Sequence, residues 1–385
     1  MPTAAVTPET HNLTGCVSGE NQTEPRVTGR LDAAGCLFLS IMPYGQAVPA
    51  LICVFVLLTL FSCLVNVLTL LALARSEELS WQPRFTFLKS LILSDLIQTA
   101  TFGPPVIHSL VQRRTMAFST WCYVQYFVGS ASIFTSLLTI TCMALERYMY
   151  VCHAIHYLVI LTQIRLRRVL TLIWVYSITI GVVNLALLHT AEPQDSGPVT
   201  MGLLCEPDIM EQHMGFPRAS AIFRKVVGSL TLLLCLLIYL FSYYRMYQDA
   251  RNAVIPFNTV NNTARKTVLF YCGMLLLQLL PLLLKVISDA LWEVRGSSAM
   301  MERSSQAGDM CMVEPAPTAT AALLHMSLLM MLIVPPCINP LVYGLRNVEM
   351  RKALLSLFQW LTEIVGSWVP DGDGDVVRQN RAQAG

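Results

Sequence analysis

The sequence predicts an all-α membrane protein, a seven-transmembrane helix bundle followed by a short amphipathic eighth helix. Composition is the first reason: 54% of the 385 residues are hydrophobic and only 13% are charged, well off the balance of a soluble domain. The second is their grouping. Sparsely charged apolar runs lie at about 48–74, 85–111, 116–151, 167–189, 221–246, 265–292 and 317–345, each meeting the roughly 20 residues that cross a bilayer. The third is continuity. The runs do not alternate in and out as barrel strands do, and in lipid a helix satisfies its own backbone.

Taken in order, residues 1–47 form a polar, Pro/Thr/Gly-rich segment with no basic flank leading into a short apolar core. No cleavable leader is expected there, and the first run acts as its own insertion signal. Asn12-Leu-Thr14 and Asn21-Gln-Thr23 are acceptors for N-glycosylation, a lumenal modification. Connections bearing Arg75, Arg84, Lys89, Arg165, Arg167, Arg168, Arg245, Arg251, Arg265, Lys266, Arg346, Arg351 and Lys352 hold more Lys and Arg than the opposite set. The positive-inside rule makes that set cytoplasmic and the N-terminus extracellular, in the cell membrane. Asn261-Asn-Thr263 then falls in a cytoplasmic loop and stays bare.

The bundle occupies 48–346. Residues 347–361 follow as a membrane-surface helix, with Leu354, Leu357, Phe358 and Leu361 at helical spacing opposite Glu349, Arg351 and Lys352. Such a helix lies flat on membrane lipid. The tail, 362–385, is polar and predicted to be disordered.

Polar residues inside the runs carry the chemistry. The third run closes on Glu146-Arg147-Tyr148. A charge at mid-bilayer costs roughly 2.5–3.5 kcal/mol, so such residues are functional by default. A stop-transfer flank or a snorkelling arginine is the plain alternative for a pair at the end of a run. Asp95 sits within the second run and needs a cation, a proton or several donors. Asn66, Ser136 and Asn339-Pro340-Leu-Val-Tyr343 lie in the first, third and seventh runs. Taken singly, each suits a hydrogen bond between helices. Of the twelve cysteines, Cys16, Cys36, Cys122, Cys205 and Cys311 occupy polar segments or run ends, where a bridge can form. No Cys/His cluster has zinc spacing.

Together these motifs resemble the rhodopsin-like G-protein-coupled receptors in order and spacing. The match comprises Asn66, Leu91-x-x-x-Asp95, Glu146-Arg147-Tyr148, Trp174 and Asn339-Pro340-x-x-Tyr343. Met143–Tyr157 and Pro335–Asn347 are similar in style to odorant receptors. The sixth run departs from both patterns, with Gln278-Leu-Leu-Pro281 where other members carry Cys-Trp-x-Pro. A divergent odorant-receptor-like or orphan member is therefore expected.

The resemblance implies a ligand-activated receptor signalling to a heterotrimeric G protein. Glu146, Arg147, Tyr148, Asn339, Pro340 and Tyr343 would serve activation and coupling, with Arg147 paired to Glu146 at rest. It also implies a Cys122–Cys205 disulfide and a polar pocket of Asp95, Asn66, Ser136 and Asn339 for a sodium ion, against hydration by water alone. Pro281 and Pro340 remove helix hydrogen bonds and permit bends.

A small-molecule ligand is expected among Gln125, Ser132, Gln278, Lys285 and Asp289. Lys285 and Asp289 are four apart on one helix face, so they read either as a snorkelling ion pair or as an anchor for an acidic ligand. Gly129 stands where amine receptors carry an aspartate, which disfavours an amine held in that way. His108 and His325 either respond to pH or sit as satisfied bundle histidines. A non-odorant ligand, such as a small acid or lipid, is the alternative.

A transporter would show mid-bilayer charges and repeat symmetry, and neither is seen. An enzyme would show a catalytic string, and no G-x-S-x-G, H-E-x-x-H or P-loop occurs. No nucleic-acid partner is expected; the net charge of +2 itself says little about partners.

Overall fold

A computed structural model of the chain describes residues 47–76, 79, 81–112, 119–189, 205, 210, 218–252, 273, 333–345 and 347–368. All regular structure among these residues is helical. The elements are α1 (Ala47–Arg75), α2 (Pro83–Gln112), α3 (Thr120–Cys152), α4 (Ala154–Ile160), α5 (Gln163–His189), α6 (Arg218–Asn252), α7 (333–345) and α8 (Val348–Trp368). The sixth run apart from residue 273, the N-terminal segment to residue 46 and the tail from 369 lie outside the described residues.

Four of the described helices, α1, α3, α5 and α6, are long and apolar enough to cross a membrane. At about 1.5 Å per residue, 27–33 residues exceed a hydrocarbon core of about 30 Å, so their ends project from it. α2 has the length but a more polar sequence, because its polar side chains turn inward. Ser90, Ser94, Asp95, Gln98 and Thr99 are all buried.

That inversion runs through the molecule. Leu57, Leu60 and Leu64 of α1, Leu172 and Val175 of α5, and Leu230, Leu233, Leu234 and Leu237 of α6 face outward. Ser62, Asn66, Thr99, Ser177, Asn184 and Asn339 are withdrawn inside. Apolar outside and polar inside is the arrangement a lipid solvent selects.

α3 is the central post, with 56% of its span buried against 22–33% in α1, α5 and α6. It packs against α2, α5 and α6, while α1 packs on α2 and α8. Small residues allow the close approaches. A Cβ built on Gly103 of α2 would lie 2.5 Å from the Thr59 methyl of α1, and one on Gly181 of α5 would lie 2.9 Å from the Phe127 ring of α3.

At the far end of the chain, α7 changes its winding. Pro340–Leu345 forms a π-helical turn, directly after the Asn339-Pro340 step where proline removes a donor. α8 then starts at Asn347, whose Oδ1 accepts the Glu349 N–H at 3.0 Å, a side-chain cap of its first turn. Met350, Leu354 and Leu357 bury against Leu73, Phe85, Leu88 and Ile92 of α1 and α2. Leu355 and Phe358 stay exposed on its other flank. Arg75 stacks over the Trp360 ring at 4.1 Å. The helix continues to Trp368, past the predicted end at 361. Ile364 and Val365 extend its apolar pattern, and nothing between Thr362 and Trp368 carries a strong stop other than Gly366.

Candidate functional site

Two polar centres lie at different depths. The first surrounds Asp95, which is 2% exposed. Asn339 of α7 donates through Nδ2 to its Oδ2 at 2.8 Å. Next to it, Ser94 Oγ donates to the Ser132 carbonyl at 3.3 Å and Ser136 Oγ donates to Ser94 Oγ at 3.4 Å, joining α2 to α3. Thr99 Oγ1 and Ser62 Oγ lie 2.9 Å apart and join α2 to α1. Asn66 Nδ2 donates to the Pro336 carbonyl at 2.9 Å and to the Ser62 carbonyl at 2.8 Å.

Of the four residues predicted to share a pocket, the structure therefore brings Asp95 and Asn339 into contact. Ser136 reaches toward them through Ser94, and Asn66 binds α7 backbone instead of the carboxylate. Asn66 Oδ1 is buried without a hydrogen-bond partner. A carboxylate, two hydroxyls and an orphaned amide oxygen make an all-oxygen donor set of the kind a hard cation accepts. These residues fit a sodium ion in donor chemistry. Among the described residues, no group of three or more His, Cys, Asp and Glu could hold a metal.

The second centre is at the opposite end of α3 from Cys122. Glu146 is 4% exposed and accepts a hydrogen bond of 2.6 Å from Tyr157 Oη, donated from the short helix α4. Arg147 is the next residue, about 100° further round the helix, and bears on Glu146 through its charge, as does Arg84. Burial, then the hydrogen bond to Glu146, hold the Tyr157 phenol above its ordinary pKa, so it remains a donor across the physiological range. Tyr148 Oη lies 3.2 Å from His153 Nε2, and its ring meets Phe241 of α6 edge-on at 5.7 Å.

Beside these groups opens a cavity of about 780 Å³. Its wall includes Glu146, Arg147, Tyr150, Tyr157, Trp81, Phe85 and the α7–α8 junction at Asn347. Arg84 and Glu349, also in the lining, form an ion pair of 2.7 Å with both side chains about half exposed. The exposed Ile155 of α4 lies two residues before Tyr157.

At the other end, Cys122 and Cys205 form a disulfide, their Cα atoms 5.2 Å apart. The Cys205 N–H donates to Gln125 Oε1 at 3.1 Å. Tyr126, Leu188 and Met210 close over the bridge, and Tyr123 stacks on His189 with centroids 5.2 Å apart.

Comparison with known sequences fits this plan. The profile of the 7 transmembrane receptor (rhodopsin family) matches residues 65–343. The chain belongs to that family. Human olfactory receptor 13A1 is 26% identical over 317 residues, 78% of this chain and 85% of the relative. Human olfactory receptor 1N2 is 23% identical over 331 residues, 84% and 93% of the two chains. Human olfactory receptor 52K1 is 24% identical over 293 residues, 76% and 84%. The chain is thus a rhodopsin-family member distantly related to olfactory receptors. Membership places it among receptors, not enzymes.

Within this receptor, the remaining predicted residues divide. Gln125 is 1% exposed and accepts the Cys205 N–H, while its Nε2 is buried without a partner. Ser132 is buried and its carbonyl receives Ser94. Gly129 backs onto the Phe102 ring, which a Cβ would approach to 2.9 Å. His108 lies 3.0 Å from Gln112 at the exposed end of α2. Tyr343 falls on the π turn.

Lys285, Asp289, Gln278, Pro281, His325, Cys16, Cys36, Cys311, Asn12 and Asn21 lie outside the described residues. Tyr157 and Ser94 carry no signal of a site role in the sequence, where Arg84 counts only as a cytoplasmic charge and Glu349 only as part of the polar face of α8. Tyr157 follows Arg147 by ten residues in a loop whose helical fold-back brings its phenol under α3.

Proposed function

We propose that the protein is a ligand-activated G-protein-coupled receptor of chemosensory, odorant-like type. The observation that carries this is the placement of Arg147 on the wall of the 780 Å³ cavity, beside a carboxylate held by a neighbouring loop. A helix is about 10 Å across with a 5.4 Å pitch, so a space of this volume takes about two turns. The partner is the C-terminal helix of a heterotrimeric G-protein α subunit, docked as a helix in a groove.

Glu146 and Tyr157 hold the resting arrangement, and Arg147 engages the partner once that end opens. The rotation of α7 around Asn339 and Pro340 carries Tyr343 inward. The cavity end is cytoplasmic and the disulfide end extracellular, supported by the distribution of Lys and Arg. Asp95, Ser94, Ser136 and Asn66 would hold a sodium ion, which supplies positive charge against the Asp95 carboxylate and favours the resting form. α8 lies on membrane lipid through Leu355 and Phe358.

The relatives' name as olfactory receptors supports a small-molecule chemosensory ligand. The unusual Gln278-Leu-Leu-Pro281 in the sixth run supports a second reading, in which the ligand is a small acid or lipid and not an odorant.

The test is a second-messenger assay in cells, screening odorants, carboxylates and amino acids against wild type and Arg147→Ala. The expected result is a response reduced at least tenfold in Arg147→Ala at equal surface expression, on the order of 1.4 kcal/mol of lost coupling. An unchanged response would remove Arg147 from its assigned role.

A further inference from the structure

The cavity wall carries two arginines, Arg147 and Arg84, and the second of them is held in a replaceable way. Arg84 Nη2 donates to Glu349 Oε2 at 2.7 Å, with the two side chains 44% and 50% exposed. An ion pair so open to water contributes little to stability. The guanidinium has an independent support in the Phe85 ring, 4.8 Å below it. The Glu349 backbone is held separately, its N–H capped by Asn347 Oδ1.

A helix that enters this cavity by its C-terminus brings a concentrated negative end. Its last carbonyls lack intrahelical donors, its dipole is negative there, and the chain finishes in a free carboxylate. Glu146 cannot serve that charge and is already satisfied by Tyr157. A guanidinium fork is the matching group for a carboxylate. We infer that Arg84 is a second docking cation, receiving the terminal carboxylate of the G-protein α subunit, and that Glu349 holds the same guanidinium at rest as a stand-in for that carboxylate. This rests on the receptor reading above and adds to it a specificity residue outside the Glu-Arg-Tyr motif. It also gives the α7–α8 junction a part in docking, because the carboxylate must displace Glu349 to bind.

The experiment uses the full-length receptor in lipid nanodiscs. Synthetic peptides spanning the C-terminal helix of each α-subunit class are titrated in two forms, free acid and C-terminal amide. Wild type is expected to bind the preferred free acid about fivefold more tightly than its amide, the scale of one partly exposed charge contact. Arg84→Gln should erase that ratio, and Arg84→Lys should keep part of it. Glu349→Gln should tighten free-acid binding about twofold to fivefold by removing the competitor, and it serves as the second variant if Arg84→Gln fails to fold.

Equal binding of acid and amide to wild type would overturn the inference, as would an undiminished ratio in folded Arg84→Gln or weaker free-acid binding in Glu349→Gln. If the receptor signals and Arg147→Ala silences it while acid and amide bind alike, the receptor reading stands and the role of Arg84 falls. If neither form binds and Arg147→Ala changes nothing, both fall.

Discussion

Asp95 and Glu146 are carboxylates almost equally withdrawn from solvent, at 2% and 4% exposure, yet they are held in opposite ways. Asp95 takes its hydrogen bond from Asn339, 244 residues away and on another transmembrane helix. Glu146 takes its bond from Tyr157, 11 residues away on the loop that follows its own helix. The first contact exists only when α2 and α7 are packed together, and α1 and α3 are tied into the same network. The second joins a helix to the short helix that follows it, and both partners line a cavity. Similar burial thus accompanies two different supports: one carboxylate is held across helices distant in sequence, the other by the segment that follows its own helix.

The contrast is sharpest in substitutions that remove one partner. Asn339→Ala leaves the Asp95 carboxyl without its donor and is expected to cost about 2–3 kcal/mol, read as a lowered thermal midpoint in detergent. A midpoint within error of wild type would place Asp95 among the readily adjustable groups and break the comparison. Gly103→Ala tests the rigidity of the same region. Its methyl meets Thr59, so a loss of about 1–3 kcal/mol is expected from overpacking.

At the other centre, Tyr157→Phe removes one partly exposed hydrogen bond, for about 1 kcal/mol of stability, and should raise ligand-free signalling severalfold. Because the phenol's folded pKa is raised, its contribution is complete below the unfolded value of about 10 and fades only as pH rises through the folded one. The difference between wild type and Tyr157→Phe should therefore be flat from about pH 6 to 9. Glu349→Gln should move stability least, by under about 1 kcal/mol. A larger loss would mean that the ion pair to Arg84 fastens α8 to the bundle.

Much of this was legible in the sequence because membrane insertion writes itself in run length. The apolar runs beginning near 48, 85, 116, 167 and 221 correspond to α1, α2, α3, α5 and α6, with bounds shifted by a few residues at either end. Asp95 and Asn339 announced themselves as polar groups in apolar surroundings. Their immediate company did not. Ser136 was expected in the pocket, but Ser94 read as an ordinary small residue, and it takes the register of α2 against α3 to set their hydroxyls together. Asn66 was expected beside Asp95 and instead binds the Pro336 carbonyl, one turn before Asn339. The peptide oxygen four residues before a proline has lost its usual donor, and Pro340 creates such a vacancy at position 336. The signal was therefore present, but only the fold shows which amide fills it. Tyr157 was hidden for a different reason: its contact depends on the chain reversing at His153 to start α4, and no apolar pattern marks that turn.

The π winding of Pro340–Leu345 has a mechanical corollary. A coil closed at i+5 accommodates a residue more than one closed at i+4, so this segment carries slack. Tightening it to the ordinary pitch would rotate everything C-terminal to it by about 100°. Because Asn339 lies just before the slack, its grip on Asp95 need not change when the segment tightens, whereas α8 would have to leave its seat on α1 and α2 to follow.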